Sequence, residues 1–172
     1  MFRMDNYLEQ WACKYKLISH NPEAGSKEKR FYRIDAITSV KPFLENLPNA
    51  HSPSLAYITQ VDDVLGGQSE KFMLKAHKVF VFVKQETLLG SKDELAATDA
   101  KVLGEEIGQD LLAYIYDDKK NNKNTDLEGL DFKGASIFTT PQQFNGWWPT
   151  EVVFHQLVPR NLCVNPEKYH DL

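Results

Sequence analysis

Apolar residues recur at helical spacing at Met4, Leu8, Trp11, Tyr15 and Ile18, which predicts an amphipathic helix near the start of the sequence. Asp5 or Asn6 is the expected cap, because a short polar side chain can accept a first-turn N–H. The stripe runs into "SHNPEAGSKEK", which is turn-rich and charged. "RFYRID" then reads as a short strand or extended link. "AITSVKPFLENLPN" predicts a short helix, with Pro42 near its first turn and Pro48 ending it.

The period then changes from helical to alternating. "SPSLAYITQV" is β-rich and predicts a strand. "DDVLGGQSE" marks a loop through its glycines and acids. In "KFMLKAHKVFVFVKQ" the apolar positions are Phe72, Leu74 and Ala76, then Val79, Val81 and Val83. The phase changes after His77, so a bulge or bend is expected near Ala76–Lys78. The two strands should pair as an antiparallel hairpin across the Gly-Gly loop.

"SKDELAATDAKVLGEEIGQDLLAYIYDD" predicts the longest helix. Ser91 and Glu94 have capping-box spacing. Leu95, Val102, Leu103, Ile107, Leu111, Tyr114 and Ile115 are its expected core stripe. "KKNNKNTD" ends it as a polar turn. "FKGASIFTT" and "WPTEVVFHQLV" are the last two strands. This order implies an α/β (α+β) two-layer domain with a mixed or antiparallel sheet and the long helix across one face. Residues 1–158 are expected to form that domain and 159–172 an extended C-terminal arm. The prolines of "PRNLCVNPEKYHDL" favour extended chain, and Leu162, Cys163, Val164 and Tyr169 give it something to bury.

Composition fits a folded core. The 172 residues are 42% hydrophobic, 12% aromatic and 26% charged, with a formal net charge of −4. That charge argues against a DNA-coating protein, which would carry a basic face. It permits a protein that lets DNA pass without gripping it. Cys13 and Cys163 allow one disulfide, although reduced thiols in a cytosol are the expectation. "MFRMDNYLEQWACKYK" lacks the apolar run of a signal peptide, and no stretch has membrane-span length.

The chemical motifs are sparse. G-x-S-x-G, H-E-x-x-H and the P-loop are all absent, and no Cys/His spacing suits zinc. No catalytic residue, metal or cofactor is therefore expected. A metal-dependent nuclease would draw on Asp62, Asp63 and Glu86. Adjacent Asp side chains point to opposite faces of extended chain, however, so solvated turn residues are the plainer reading.

Two features suggest close approach. Ala97, Ala100 or Lys101, Gly104 and Gly108 form a small-residue stripe on the long helix, where glycine costs about 1 kcal/mol against alanine. Either the helix sits close to its own sheet or Gly104 and Gly108 meet another subunit. The last strand is apolar on both faces, with Val152, Phe154 and Val158 on one and Val153 and Leu157 on the other. Trp147 and Trp148 should point opposite ways. Either a second small core or a subunit interface would take the outward one.

The layout of a first amphipathic helix, the strand "SPSLAYITQ", a strand leading into a long helix, and a final strand in "NGWWPTEVVFHQLV" resembles the tail terminator or tail-completion proteins of tailed bacteriophages. "NLCVNPEKY" is similar to an "LCY(D/N)P-x-K-W" ending of phage or prophage structural proteins of the Bacteroidetes group. Tyr169 stands where that ending usually has Trp. The resemblance implies a virion structural protein, made in the bacterial host cytoplasm and located in the tail or neck. It implies a homo-oligomeric ring, usually hexameric, joining the tail tube to the head–tail connector. Its partners would be itself and other tail or connector proteins, with DNA passing through unbound and no membrane involved. Gly104, Gly108, Trp147, Trp148, Leu162 and Tyr169 are the candidate interface residues.

Overall fold

The computed structural model describes residues 3–23, 29–35, 43, 52–59, 72–85, 93–121, 125–141 and 146–159. Helix α1 spans Met4–Lys14. Strands β1 (Phe31–Ile34), β2 (Ser54–Ile58) and β3 (Phe72–Lys84) follow. Helix α2 covers Asp93–Lys120, and a short 3-10 turn, Thr125–Leu127, leads into β4 (Leu130–Thr139) and β5 (Trp147–Pro159). The strands form one sheet in the order β1-β2-β3-β5-β4. β1 and β2 are parallel, and the other neighbours are antiparallel. The expected two-layer α+β architecture with a mixed sheet is present, and so is the antiparallel β2–β3 pair. The expected short helix over "AITSVKPFLENLPN", Phe43 aside, and Ser91 of the expected capping box lie outside the described residues, while Glu94 falls in the first turn of α2.

Both helices lie on the same face of the sheet. Leu8 and Trp11 of α1 and Ile107, Leu111 and Ile115 of α2 share one core with Leu55, Tyr57, Val79, Val81, Val152 and Phe154. Each buried Leu or Ile there contributes about 1.5–3 kcal/mol. On α2 the buried positions are Ala100, Gly104, Ile107, Gly108, Leu111, Ile115 and Asp118, a helical period. Val102 was expected in this stripe but is 46% exposed. Two steps from Ala100 turn it about 200° around the helix, away from the sheet.

The start of α1 corrects the expected cap. The cap position is Arg3, with no side-chain cap bond, and Asp5 lies inside the first turn and is buried. Its carboxylate accepts from Arg3 at 2.6 and 3.1 Å and pairs with Arg33 Nε of β1 at 3.0 Å. Arg33 also donates to Glu9 at 2.6 Å and to Asn6 at 3.0 Å. The residue is therefore a tie between helix and strand. Burial alone would raise the Asp5 carboxyl, but the bonds and charges of Arg3 and Arg33 outweigh it and hold it below its usual range. Asp5→Ala should cost about 1–2 kcal/mol in urea unfolding, with Asp5→Asn recovering part of the loss.

The helix stops at Lys14, before the predicted stripe does. Tyr15 N–H still bonds Trp11 O, and the Tyr15 ring stacks on Trp11 at 4.6 Å. A turn over residues 16–18 returns Ile18 to the core, where it is fully buried. Cys13 falls on the solvent side of α1 and is exposed as a free thiol.

β3 carries no bulge. Its pairing with β5 runs unbroken from Phe72↔Pro159 to Lys84↔Trp147, and its pairing with β2 is also continuous. The apparent phase change arises because both faces are apolar. Val79, Val81 and Val83 face the helices, while Phe80 and Phe82 join a separate cluster. His77, on the helix face, is the polar interruption. The sheet's irregularity lies instead in β4, between Asp131 and Ser136.

Candidate interaction surface

β5 lies between β3 and β4, so its side chains alternate across the sheet. Trp148, Val152 and Phe154 point into the helix-covered core. Thr150 is buried on the same face and shares a 3.0 Å hydroxyl bond with Thr139 of β4. Trp148 Nε1 donates to Gln85 at 3.1 Å, and Lys101 of α2 sits 4.1 Å over its ring.

The glycine stripe meets this face. A Cβ on Gly104 would lie 2.4 Å from Thr150 Oγ1, and one on Gly108 would lie 2.9 Å from Val152 Cγ2. Close contact between α2 and its own sheet therefore accounts for both glycines. Trp147 and Trp148 do point opposite ways, but both are buried, at 0% and 8% exposure. These four candidate interface residues thus pack within the subunit. Leu162 and Tyr169 lie outside the described residues.

The opposite face of the sheet has two halves. At one end Ile34, Ala56, Ile58, Phe82 and Trp147 form a second buried cluster with Tyr32, Phe43 and Phe80. Phe43 packs on Tyr32 and Phe82 at ring separations of 4.9 and 5.5 Å. Trp147 Nε1, fully enclosed there, has no hydrogen-bond partner among the described residues. At the other end the face is open. Leu157 is 39% exposed and Phe138 of β4 57% exposed. Leu74, Ala76, Val153 and His155 are half-buried around them. Lys78 and Glu151 pair across this half at 3.1 Å, so its central charges neutralise each other. Side chains aligned across β4, β5 and β3 on one face thus make an apolar strip with a paired charge.

The polar groups on the helix face have structural duties. Gln156 Nε2 donates to Asp126 O at 3.0 Å, which leaves Gln156 Oε1 as acceptor for His77 Nε2, 3.0 Å away. His77 Nδ1 then accepts the Tyr57 hydroxyl at 2.9 Å. This neutral ring is enclosed and stacks on Phe154 at 5.1 Å. Burial pushes its pKa down to about 4, against a smaller upward pull from Gln156. His20 is also buried, accepting Arg30 N–H at 3.2 Å, with Glu9 3.6 Å from its other nitrogen. Its pKa is lowered, since burial exceeds the attraction of Glu9. Tyr7 and Tyr15 of α1 donate to Asp118 and Asp110 of α2, at 2.9 and 2.7 Å, and both phenols are held protonated by burial and these carboxylates.

Among the described residues, no three His, Cys, Asp or Glu side chains gather as a metal site. Asp62, Asp63 and Glu86 lie outside those residues. No described helix is long and apolar enough to cross a membrane. No model of a known protein family matches the chain, and no curated protein matches it.

Proposed function

We propose that this protein is a self-assembling structural subunit, a ring component of the tail or neck of a tailed phage, at the tail terminator position or beside it. The observation that carries the reading is the open half of the outer sheet face around Phe138, Val153 and Leu157. Large apolar side chains aligned on one surface mark contact with another molecule. The apolar residues after β5, Leu162, Val164 and Tyr169, supply a second sticky element in the same chain. The resemblance in layout and in "NLCVNPEKY" gives the assembly its class. In a ring these surfaces would make heterologous contacts that close by rotation, and the net charge of −4 suits a channel for DNA. Such a ring would need no catalytic residue or cofactor.

Electron micrographs of the purified full chain test this directly. Rings with a hole wide enough for duplex DNA are expected. A protein that stays monomeric at tens of micromolar by sedimentation velocity would overturn the reading. Truncation also separates folding from assembly. Removal of residues 147–172 would take out β5, an interior strand, and should unfold the domain. A chain stopped after Pro159 should keep its cooperative melt and lose its rings. Rings from that shorter chain would sink the role given to residues 160–172.

A further inference from the structure

We infer that the open half of the outer sheet face receives residues 160–172 of a neighbouring copy of this chain. This rests on the ring reading above and names its contact. The face offers Leu157 and Phe138 exposed, with Leu74, Ala76 and Val153 half-buried beside them. Its charged pair, Lys78 and Glu151, is internally neutralised at 3.1 Å. The segment matches that character. Arg160 and Lys168 balance Glu167 and Asp171, while Leu162, Val164, Tyr169 and Leu172 are apolar.

Length and direction choose the neighbour over the chain's own sheet. Thirteen residues (160–172) reach about 43 Å when extended. The strip from Glu151 to Leu157 is about 20 Å long at strand spacing. More than half of the segment is therefore left to cross to another subunit. β5 leaves the sheet at Pro159, opposite Phe72, at the open end of the face. Lying back on its own face would demand a reversal at Arg160–Asn161. Pro159 and Pro166 hold two φ angles near about −65°, which suits a segment that continues extended. A neighbour's face, met without reversal, fits this chemistry better.

The native Cys163 allows a test in the full chain. In a Cys13→Ser background, Ser136→Cys places one thiol on the exposed outer face of β4, across from Val153. Glu106→Cys places a control thiol on the solvent side of α2. Each variant is treated with a short bis-maleimide and run on a denaturing gel, with assembly followed by mass photometry on the same sample. A ladder of covalent dimers and higher species is expected from the Ser136→Cys protein, at least ten times the yield of the control. A linked monomer of altered mobility would assign the segment to its own sheet and overturn the inference while leaving rings intact. Rings without linkage would overturn it too. Absence of rings would fail the functional reading itself. Leu157→Asp should raise the concentration needed for assembly at least tenfold with an unchanged melt, and unaltered assembly would count against the contact.

Discussion

Gly104→Val is expected to cost about 3 kcal/mol in urea unfolding, through overpacking between α2 and β5. Even alanine should destabilise. Its Cβ would stand 2.4 Å from Thr150 Oγ1 and 3.3 Å from Thr150 Cβ. The helix would gain about 1 kcal/mol in propensity from Gly→Ala. The contact outweighs this gain, because Thr150 has little room to yield. Its hydroxyl is bonded to Thr139, and Thr139 also donates to Glu105 of α2 at 2.9 Å. Rotating Thr150 would break into that chain. A net loss of about 1–2 kcal/mol is therefore expected for Gly104→Ala. The partner can be tested by subtraction. Thr150→Ala removes the atom at 2.4 Å, so the double variant should recover most of the loss. Additive losses in that cycle would mean that the glycine is needed for some other reason.

This pair also marks where the sequence was legible. Two glycines four apart on one helix face point to a close neighbour from periodicity alone. Which backbone comes close depends on Thr150 and Val152, far along the chain, and no local rule reaches them. The same limit explains Asp5. Its polar side chain at a helix start fits a cap, but Arg33 draws it into a tie between α1 and β1. Val102 is apolar yet lies off the buried phase of α2, where a count of apolar residues misleads and the angle decides. The supposed bulge in β3 came from reading a strand apolar on both faces as two strands out of phase. Phe80 and Phe82 beside Val79, Val81 and Val83 were the available signal. The outer face was partly foreseen, since Val153 and Leu157 alternate with Val152 and Phe154. That one end of it is closed and the other open follows only from register. Pairing places Trp147 beside Lys84 at one end and Leu157 beside Leu74 at the other.

His77 should make stability fall with acid in a definite window. The ring is enclosed between Tyr57, Phe154 and Gln156, and its folded pKa is pushed down to about 4. In the unfolded chain it would titrate near the ordinary value of about 6.5. The folded state therefore favours the neutral ring. Above about pH 6.5 neither state is protonated there, and the group's full contribution is present. As pH falls from about 6.5 to 4, the unfolded state takes up the proton first and stability drops. Below about 4 both states are protonated and the loss levels off. The total is about 3 kcal/mol for a shift of this size. Lys75 and His155 add a smaller push in the same direction, since their positive charges disfavour a second cation. His20, also lowered by burial, should contribute a separate and smaller slope. His77→Gln cannot titrate, so its unfolding free energy should lose most of the slope between pH 6.5 and 4 while being lower at pH 7. Glutamine can keep one of the two bonds, to Tyr57 or to Gln156, but not the ring's stack on Phe154. An unchanged pH slope in that variant would move the acid sensitivity to His20.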